Sequence, residues 1–459
     1  MTSTIPQPPG VPLLGNVLDV DPKNTWGSLK KLAEKYGEIF KINALGHQIV
    51  FVGSAALAEE LCDETRFRKC VTGPVVEIRS LVHSSLFTAY DNEPNWGEAH
   101  RIMGPLVDRS NTDAMFDKMR DSMDALITKW SSSQKVDVTA DLKRQNLQSV
   151  VSAFFNQEED FLSGPFPSVL SAMDASTLEA MKRPARPKLL TKLLYQRKFD
   201  KDIKTVRSFC AGIVAKRRAL EENETPKQDM LNALLHGTDP QTGESLNDEK
   251  IIDEIINIFI GAATCPCLLS FAIYFLLKNP EVITKAREEI DSVLGTDAKL
   301  TVYDLPKLPY CEATLREAMR LSAVAPGFNI EPIPSDPETP GNITLAGGKY
   351  TVPNNQAMII VLSAVNRDKE VFDEPNEFRP ERMMGEAYDN LPAGVKKGFG
   401  NGKRECFGKL AAWQWSFIAL VSIIRKVDLG LADKAYELKT NGAFCLEPLQ
   451  LFANVGPRS

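Results

Sequence analysis

A single cysteine at the mouth of a long apolar helix constrains this 459-residue chain more than any other feature. The stretch reads Phe399-Gly400-Asn401-Gly402-Lys403-Arg404-Glu405-Cys406-Phe407-Gly408. It is followed at once by the apolar run Leu410-Ala411-Ala412-Trp413-Gln414-Trp415-Ser416-Phe417-Ile418-Ala419-Leu420. A thiol that is to hold iron must be deprotonated, and a cysteine at a helix start sees unpaired backbone N–H groups and the positive end of the helix dipole. Gly400 and Gly402 permit a tight backbone path around the sulfur, and Gly408 lets the helix approach a flat macrocycle. Arg404 can reach a carboxylate on the edge of that macrocycle, and Phe399 can pack over the sulfur and keep water away. A free structural cysteine in a Gly-rich loop accounts for any one of these residues but not for the whole string, which reads as a thiolate loop for haem.

The string resembles the haem-binding loop of the cytochrome P450 family, Phe-x-x-Gly-x-Arg-x-Cys-x-Gly, at every fixed position. Two further motifs agree. Glu317-Ala318-Met319-Arg320, on a helix expected over Tyr310 to Leu321, resembles the family's Glu-x-x-Arg, with acid and base on one face. Pro380-Glu381-Arg382-Met383 resembles the element that adds a second arginine to that pair. Taken alone, Glu-x-x-Arg on a helix is an ordinary solvated ion pair. Downstream of it the cysteine loop changes that reading, and Glu317, Arg320 and Arg382 become a structural network.

The nearest resemblance is to soluble fatty-acid hydroxylases, fungal members among them, whose haem domain is fused to a diflavin reductase. It rests on Gly37-Glu38-Ile39-Phe40-Lys41, Cys62 to Phe67, Leu86-Phe87-Thr88-Ala89, Asn95 to His100, and Leu269 to Pro280. The resemblance implies one mainly α haem domain over 1–459 with a small β lobe at roughly 36–54 and 328–365. It implies haem b (iron protoporphyrin IX) between a long distal helix and the cysteine-loop helix, with electrons from NADPH through an FAD/FMN reductase, fused or separate. By the same resemblance Cys406 ligates the iron, Thr264 acts at the oxygen site, and Trp96, His100, Arg404 and Lys69 hold the haem propionates. Phe87 would stand over the haem face. An indole N–H, an imidazole and a guanidinium suit anionic carboxylates.

Two departures from the family pattern bear on the reaction. Where the family reads Ala-Gly-x-Glu/Asp-Thr-Thr on the distal helix, this chain reads Ile260-Gly261-Ala262-Ala263-Thr264-Cys265-Pro266. Thr264 is kept, but the acid of the proton relay is Ala263, and such acid catalysis is typically worth ~10²–10⁴ in rate. Ile260 replaces a small residue and narrows the space above the iron, and Pro266 should kink the helix there. The second departure is at the entrance, where an arginine and a tyrosine that grip a fatty-acid carboxylate correspond to His47 and Phe51. A neutral imidazole replaces a guanidinium fork poorly, which points away from a simple fatty acid. Phe87, Val82, Ala325, Gly327 and Phe328, with Ile260 and Ala263, outline an apolar pocket for a bulkier natural product.

Three functional readings follow from these residues. The leading one is a monooxygenase acting on a small apolar substrate. The loss of the distal acid raises a second: an isomerase, a dehydratase, a peroxide-using enzyme or a nitric oxide reductase. A non-catalytic haem sensor is the third, and a shaped distal pocket argues against it.

Composition removes other classes. A net charge of −6 and a pI near 5.6, without a run of Lys and Arg, argue against a nucleic-acid surface. Eight cysteines without framework spacing indicate a reducing compartment, read here as the cytoplasm. In Cys265-Pro266-Cys267 the two thiols do not share a helix face, which argues against a metal clip. The start, Met1 to Pro12, has no apolar run near the ~18 residues of a membrane span, so no transmembrane anchor is expected. Alternation predicts a hairpin over Glu38 to Ser54 around Leu45-Gly46-His47, and strands within Gly341 to Val361 with a turn at Gly347-Gly348. Helical periodicity marks Ala55 to Cys62, Asn95 to Val107, and a long helix capped by Asn247 or Asp248 that runs toward Leu277.

Overall fold

The computed structural model describes residues 3–12, 14–44, 46–221, 228–295, 298–334, 341–441 and 444–458. Its strands, in chain order, are β1 (Ile39–Ala44), β2 (His47–Val52), β3 (Phe67–Lys69), β4 (Lys135–Asp137), β5 (Gly327–Pro332), β6 (Asn342–Leu345), β7 (Tyr350–Pro353), β8 (Met358–Val361), β9 (Val427–Leu431) and β10 (Phe452–Pro457). Everything else regular is helical, so the chain is mainly α with a small β lobe.

The lobe is a five-stranded sheet in the order β1-β2-β8-β5-β3. β1 and β2 form the hairpin predicted from alternation, in register from Ile39 opposite Val52 to Ala44 opposite His47. Leu45 in its turn, like Met1 and Thr2 of the predicted start, lies outside the described residues. β6 and β7 make a separate hairpin whose turn holds Gly347 and Gly348 at φ 61° and 93°, a backbone state that favours glycine. Two features were not predicted. β3 completes the main sheet by pairing with β5, and β4, β10 and β9 form a second sheet. Two of the missed strands, β3 and β4, are three residues long, too short to display an alternation.

Two helices run through the interior. Lys409–Lys426, which follows the cysteine loop, and Thr264–Lys278 are apolar nearly all round and bury Phe417, Ile418, Leu420, Leu269, Phe271 and Ile273 in the largest core cluster. A second cluster gathers on Asp248–Ala262 through Ile251, Ile255, Ile256, Phe259 and Ile260. Asn247 is the cap, its side chain accepting from the Lys250 amide at 2.9 Å, while Asp248 opens the first turn. Among the described residues, Asp248–Lys278 is the one stretch long and apolar enough to cross a membrane, and most of it is buried inside the protein.

The predicted kink at Pro266 falls elsewhere. One helix ends at Ala262 and the next begins at Thr264, so the break sits at Ala263, one turn before the proline. The missing proline N–H removes the partner of a carbonyl a turn upstream, and that is where the helix yields. Pro266 itself sits in the first turn of the new helix, where a missing N–H costs little.

Glu317 and Arg320 are buried on the helix Pro309–Ser322 and meet through two parallel hydrogen bonds of 2.7 Å each. The guanidinium also donates to the carbonyls of Asn366 (2.8 Å) and Pro375 (2.7 Å), and the Arg379 amide donates to Glu317 at 3.0 Å. Arg382 lies 3.5 Å from the same carboxylate and donates to the Asp373 carbonyl at 2.8 Å. This network ties the helix to the chain leading into the cysteine loop.

Candidate haem site

A cavity of about 1630 Å³ is lined by the cysteine loop and the start of Lys409–Lys426, by Ile260, Gly261 and Thr264 where Asp248–Ala262 gives way to Thr264–Lys278, and by the lobe. Small-molecule sites usually measure ~300–1,000 Å³, so this one has room for a macrocycle and a second molecule. Phe399, Cys406 and Gly408 line it from the cysteine loop, Gly261 and Thr264 from the helix break, and Lys69, Trp96, His100 and Arg404 as one connected group that forms its edge.

The cysteine loop is built by local backbone constraints. A turn of 3₁₀ helix, Gly402–Arg404, precedes Cys406, whose amide donates to the Phe399 carbonyl at 2.7 Å. Gly402 has φ 56°, and a Cβ there would lie 2.0 Å from the Glu64 side chain, which itself accepts from the Lys403 amide at 2.8 Å. Asn401 donates to the Cys62 carbonyl at 2.8 Å, so the loop is pinned to the segment 62–64. The Cys406 sulfur is exposed, but to the cavity. The enclosing protein pushes its thiol upward, and the Gly408 amide pulls it back. The expected help from the helix dipole is smaller than the spacing suggested, because the helix starts only at Lys409 with Gly408 as its cap. A metal cation held at the sulfur would supply the missing positive charge.

At the edge, two cations lack counterions. Arg404 donates to the Ala89 carbonyl at 2.7 Å, lies 4.9 Å from the Trp96 ring, and has a buried Nε with no partner. Its nearest carboxylates are engaged elsewhere, Asp91 with Lys403 at 3.2 Å and Glu93 with Arg79 at 2.7 Å. Lys69 donates to the Phe87 carbonyl, and its ammonium lies 4.4 Å from the Phe87 ring. Burial, with Arg404 adding to it, pushes Lys69 down to about 7. His100 packs 5.0 Å from Trp96 and 5.4 Å from Phe407, and burial followed by Arg101 and Arg404 holds it below the usual histidine range. Two half-buried cations, one with an orphaned guanidinium N–H, ask for an anion, which the carboxylates on one edge of haem would provide. A Cβ added at Gly261 or Gly408 would meet no atom within 4 Å, so both faces are open to a flat ring. The residues fit haem.

On the far side the Thr264 hydroxyl donates to the Gly261 carbonyl at 2.9 Å. Phe87 meets Phe444 edge-on at 5.5 Å, and Ala325, Gly327 and Phe328 line the wall. Gly327 has no room for a side chain, since a Cβ would stand 2.4 Å from the Ile360 carbonyl across the β5–β8 pair. Two expected pocket residues are not on the wall. Val82 is fully buried in the second core cluster, because the helix Pro74–Val82 turns that face inward. Ala263 sits in the helix break, where its carbonyl accepts from the Cys267 thiol at 3.2 Å and its side chain is off the cavity. Ile260 touches the cavity but is only 4% exposed, so it narrows the space less than its size suggested. Cys265 and Cys267 diverge as the helical spacing requires: Cys265 faces the Ala412 carbonyl at 4.0 Å, and Cys267 faces the Cys445 sulfur at 3.7 Å.

The family model for cytochrome P450 matches residues 5–453. This chain belongs to the cytochrome P450 family. It is 37% identical to a self-sufficient cytochrome P450 monooxygenase of Phanerodontia chrysosporium, over 100% of this chain and 43% of that protein. It is 36% identical to a bifunctional cytochrome P450/NADPH–P450 reductase of Acremonium egyptiacum, over 98% and 43%, and 35% identical to another of Aspergillus oryzae, over 99% and 41%. The chain thus spans less than half the length of these relatives.

Sequence reasoning missed several residues of this P450 site. Asn257 lines the distal wall one turn from Glu254, which is buried on the same helix. Glu254 accepts from the Leu86 amide at 2.9 Å and from Asn257 at 3.3 Å, and burial pushes it up to about 8. The i, i+3 spacing of Glu254 and Asn257 was visible, but a solvated face reads the same way. At the mouth, His47 is exposed while Phe51 turns into the lobe and stacks on Phe40 at 5.1 Å. Lys182, Arg186, Lys188 and Tyr195 line the same cavity.

Proposed function

We propose that this chain is a single haem domain, 1–459, of a monooxygenase that inserts one atom of O₂ into an apolar organic substrate. Electrons would come from NADPH through an FAD/FMN reductase, fused or separate. The observation that carries this reading is one arrangement: a cysteine sulfur open to a large cavity, with the uncountered cations Lys69 and Arg404 at its edge. Relatives bearing the same kind of domain are named monooxygenases and bifunctional P450/NADPH–P450 reductases, which supports the electron source.

A thiolate-ligated haem held in this cavity would supply the activation of O₂ by two electrons. The chain's part is to hold, orient and exclude. Cys406 would ligate the iron, and Lys69, Trp96, His100 and Arg404, which line the same cavity, would hold the propionate edge. Phe399 shields the sulfur side, its ring edge-on to Trp413 at 6.2 Å. The Thr264 hydroxyl, anchored on the Gly261 carbonyl, is the distal hydrogen-bonding group. With alanine at 263 protons must pass by water, and the Thr264 hydroxyl is the group that hands them on. Phe87, Ile260, Ala325, Gly327 and Phe328 present an apolar wall that selects a hydrocarbon-rich substrate. All eight cysteines are free, which fits a place in the cytoplasm.

Product analysis with NADPH and reductase, set against hydroperoxide or nitric oxide alone, tests the proposal. Oxygenated product only in the first arm supports it. Turnover of a hydroperoxide or of nitric oxide without reductase would replace it with an isomerase, dehydratase or reductase reading. Cys406→Ala should lose the thiolate-dependent absorption of the reduced, carbon monoxide-bound protein.

A further inference from the structure

Cys267 and Cys445 stand 178 positions apart in the chain, yet their sulfurs lie 3.7 Å from each other. Cys267 is fully buried on the helix Thr264–Lys278, whereas Cys445 is half-buried on the segment that leads into β10. Both thiols aim at one acceptor, the Ala263 carbonyl in the helix break, at 3.2 and 4.0 Å.

Both sides of this contact are anchored. Beside Cys445, the Leu446 amide donates to the Val324 carbonyl at 2.9 Å, and the Glu447 carboxylate accepts from the Asn441 side chain at 2.8 Å. Glu447 also pairs with the buried Lys143, which pairs in turn with Asp174 at 2.9 Å. On the other side, Leu268, Leu269 and Phe271 fix the helix of Cys267 in the largest core cluster. Disulfide sulfurs stand about 2.05 Å apart, so a movement of under about 2 Å joins the two. The surroundings divide the roles. Contact with Cys445 and burial hold the Cys267 thiol well above the usual thiol range, with Lys143 opposing them. Cys267 therefore stays protonated, and Cys445 is the sulfur that an oxidant reaches first.

We propose that Cys267 and Cys445 are a dithiol site for hydroperoxide oxidants, and that the disulfide they form clamps the Phe444 segment to the helix after the break. With hydrogen peroxide, the Cys445 sulfur attacks one oxygen. An S–O bond forms, the O–O bond breaks, and the thiol proton leaves with the second oxygen as water. Cys267 then attacks the sulfenic sulfur. The S–S bond forms, the S–O bond breaks, and the Cys267 proton leaves with the hydroxyl as a second water. Two thiols lose two electrons and the peroxide gains them, and thiol exchange restores the pair. Phe444 meets Phe87 edge-on at 5.5 Å on the cavity wall, so the bond ties that wall to the redox state of the pair. The site does not rest on the proposed function.

The test treats the haem-loaded chain with equimolar hydrogen peroxide, denatures and alkylates it, and maps unreduced peptides by mass spectrometry. A cross-link between 267 and 445 is expected, with a melting temperature raised by ~2–4 °C and both effects reversed by dithiothreitol. In Cys267→Ser, Cys445 should instead hold a sulfenic acid that dimedone traps. In Cys445→Ser neither the cross-link nor the melting shift should appear, and the reduced carbon monoxide spectrum checks that both variants are folded. Three results each overturn the proposal: both thiols still free in the unaltered chain after peroxide, a cross-link that joins other cysteines instead, or a melting shift that Cys445→Ser shows equally.

Discussion

Replacing Glu254 with glutamine turns the burial of one carboxyl into a measurable pH dependence. Glu254 is 3% exposed on Asp248–Ala262, and burial is the main cause that moves its carboxyl from an ordinary 4.5 up to about 8. The neighbouring Asp253 pushes the same way, while the Leu86 amide, Asn257 and Lys250 oppose it. Between those two values the unfolded chain has released the proton and the folded chain has kept it, so stability falls as pH rises across the interval. The stabilising contribution is whole below about 4.5 and gone above about 8. At about 1.4 kcal/mol per pH unit the full swing is ~3–5 kcal/mol. Glutamine keeps the shape and the acceptor for Leu86 but carries no charge at any pH. For a chain of this length ~1 kcal/mol corresponds to ~1 °C in melting temperature. Melting of haem-loaded wild type and Glu254→Gln, followed by circular dichroism in matched buffers, should therefore diverge by ~3–5 °C more at about pH 9 than at about pH 5. The wild type should be the one that loses. An equal gap at both pH values would show that Glu254 is solvated, and the reasoning from burial would fail.

Glu317→Leu strands Arg320 inside the protein and should cost ~3–5 kcal/mol, seen as a lowered melting temperature or loss of haem-loaded protein. A melting curve indistinguishable from wild type would refute the buried pair. Lys69→Met and Arg404→Leu each remove a charge-assisted bond to the haem edge worth ~1.5–3 kcal/mol, so haem should pass to an acceptor globin about tenfold to a hundredfold faster. Unchanged transfer rates would place the propionates elsewhere. Thr264→Ala should lower product formed per NADPH by about tenfold or more while leaving the reduced carbon monoxide spectrum intact. Unchanged coupling would mean that water alone serves the distal side.

The cysteine loop was legible because its requirements are local. The turn at Gly402, the Phe399 carbonyl for the Cys406 amide, and the apolar helix after Gly408 lie within one short stretch. The β1–β2 hairpin and the Asn247 cap were legible for the same reason. Val82 and Ala263 were misplaced because an apolar residue near a pocket can face either side of its helix, and only packing decides which. The break at Ala263 was displaced by one turn because proline acts on a carbonyl upstream of itself. β3 and β4 were missed because strand pairing is a property of distant segments.

By itself, then, the sequence determined the family, the cofactor that family holds and the helical class of the fold, because those depend on residue types at short, fixed spacings. Tertiary structure alone decided the rest of the site. Lys69, Trp96, His100 and Arg404 become one cradle only when β3, the helix Asn95–Met103 and the cysteine loop are packed together. The same packing buries Glu254 and sets the Cys267 sulfur against that of Cys445. Burial sets the proton affinity of Glu254, and burial is a property of the folded chain.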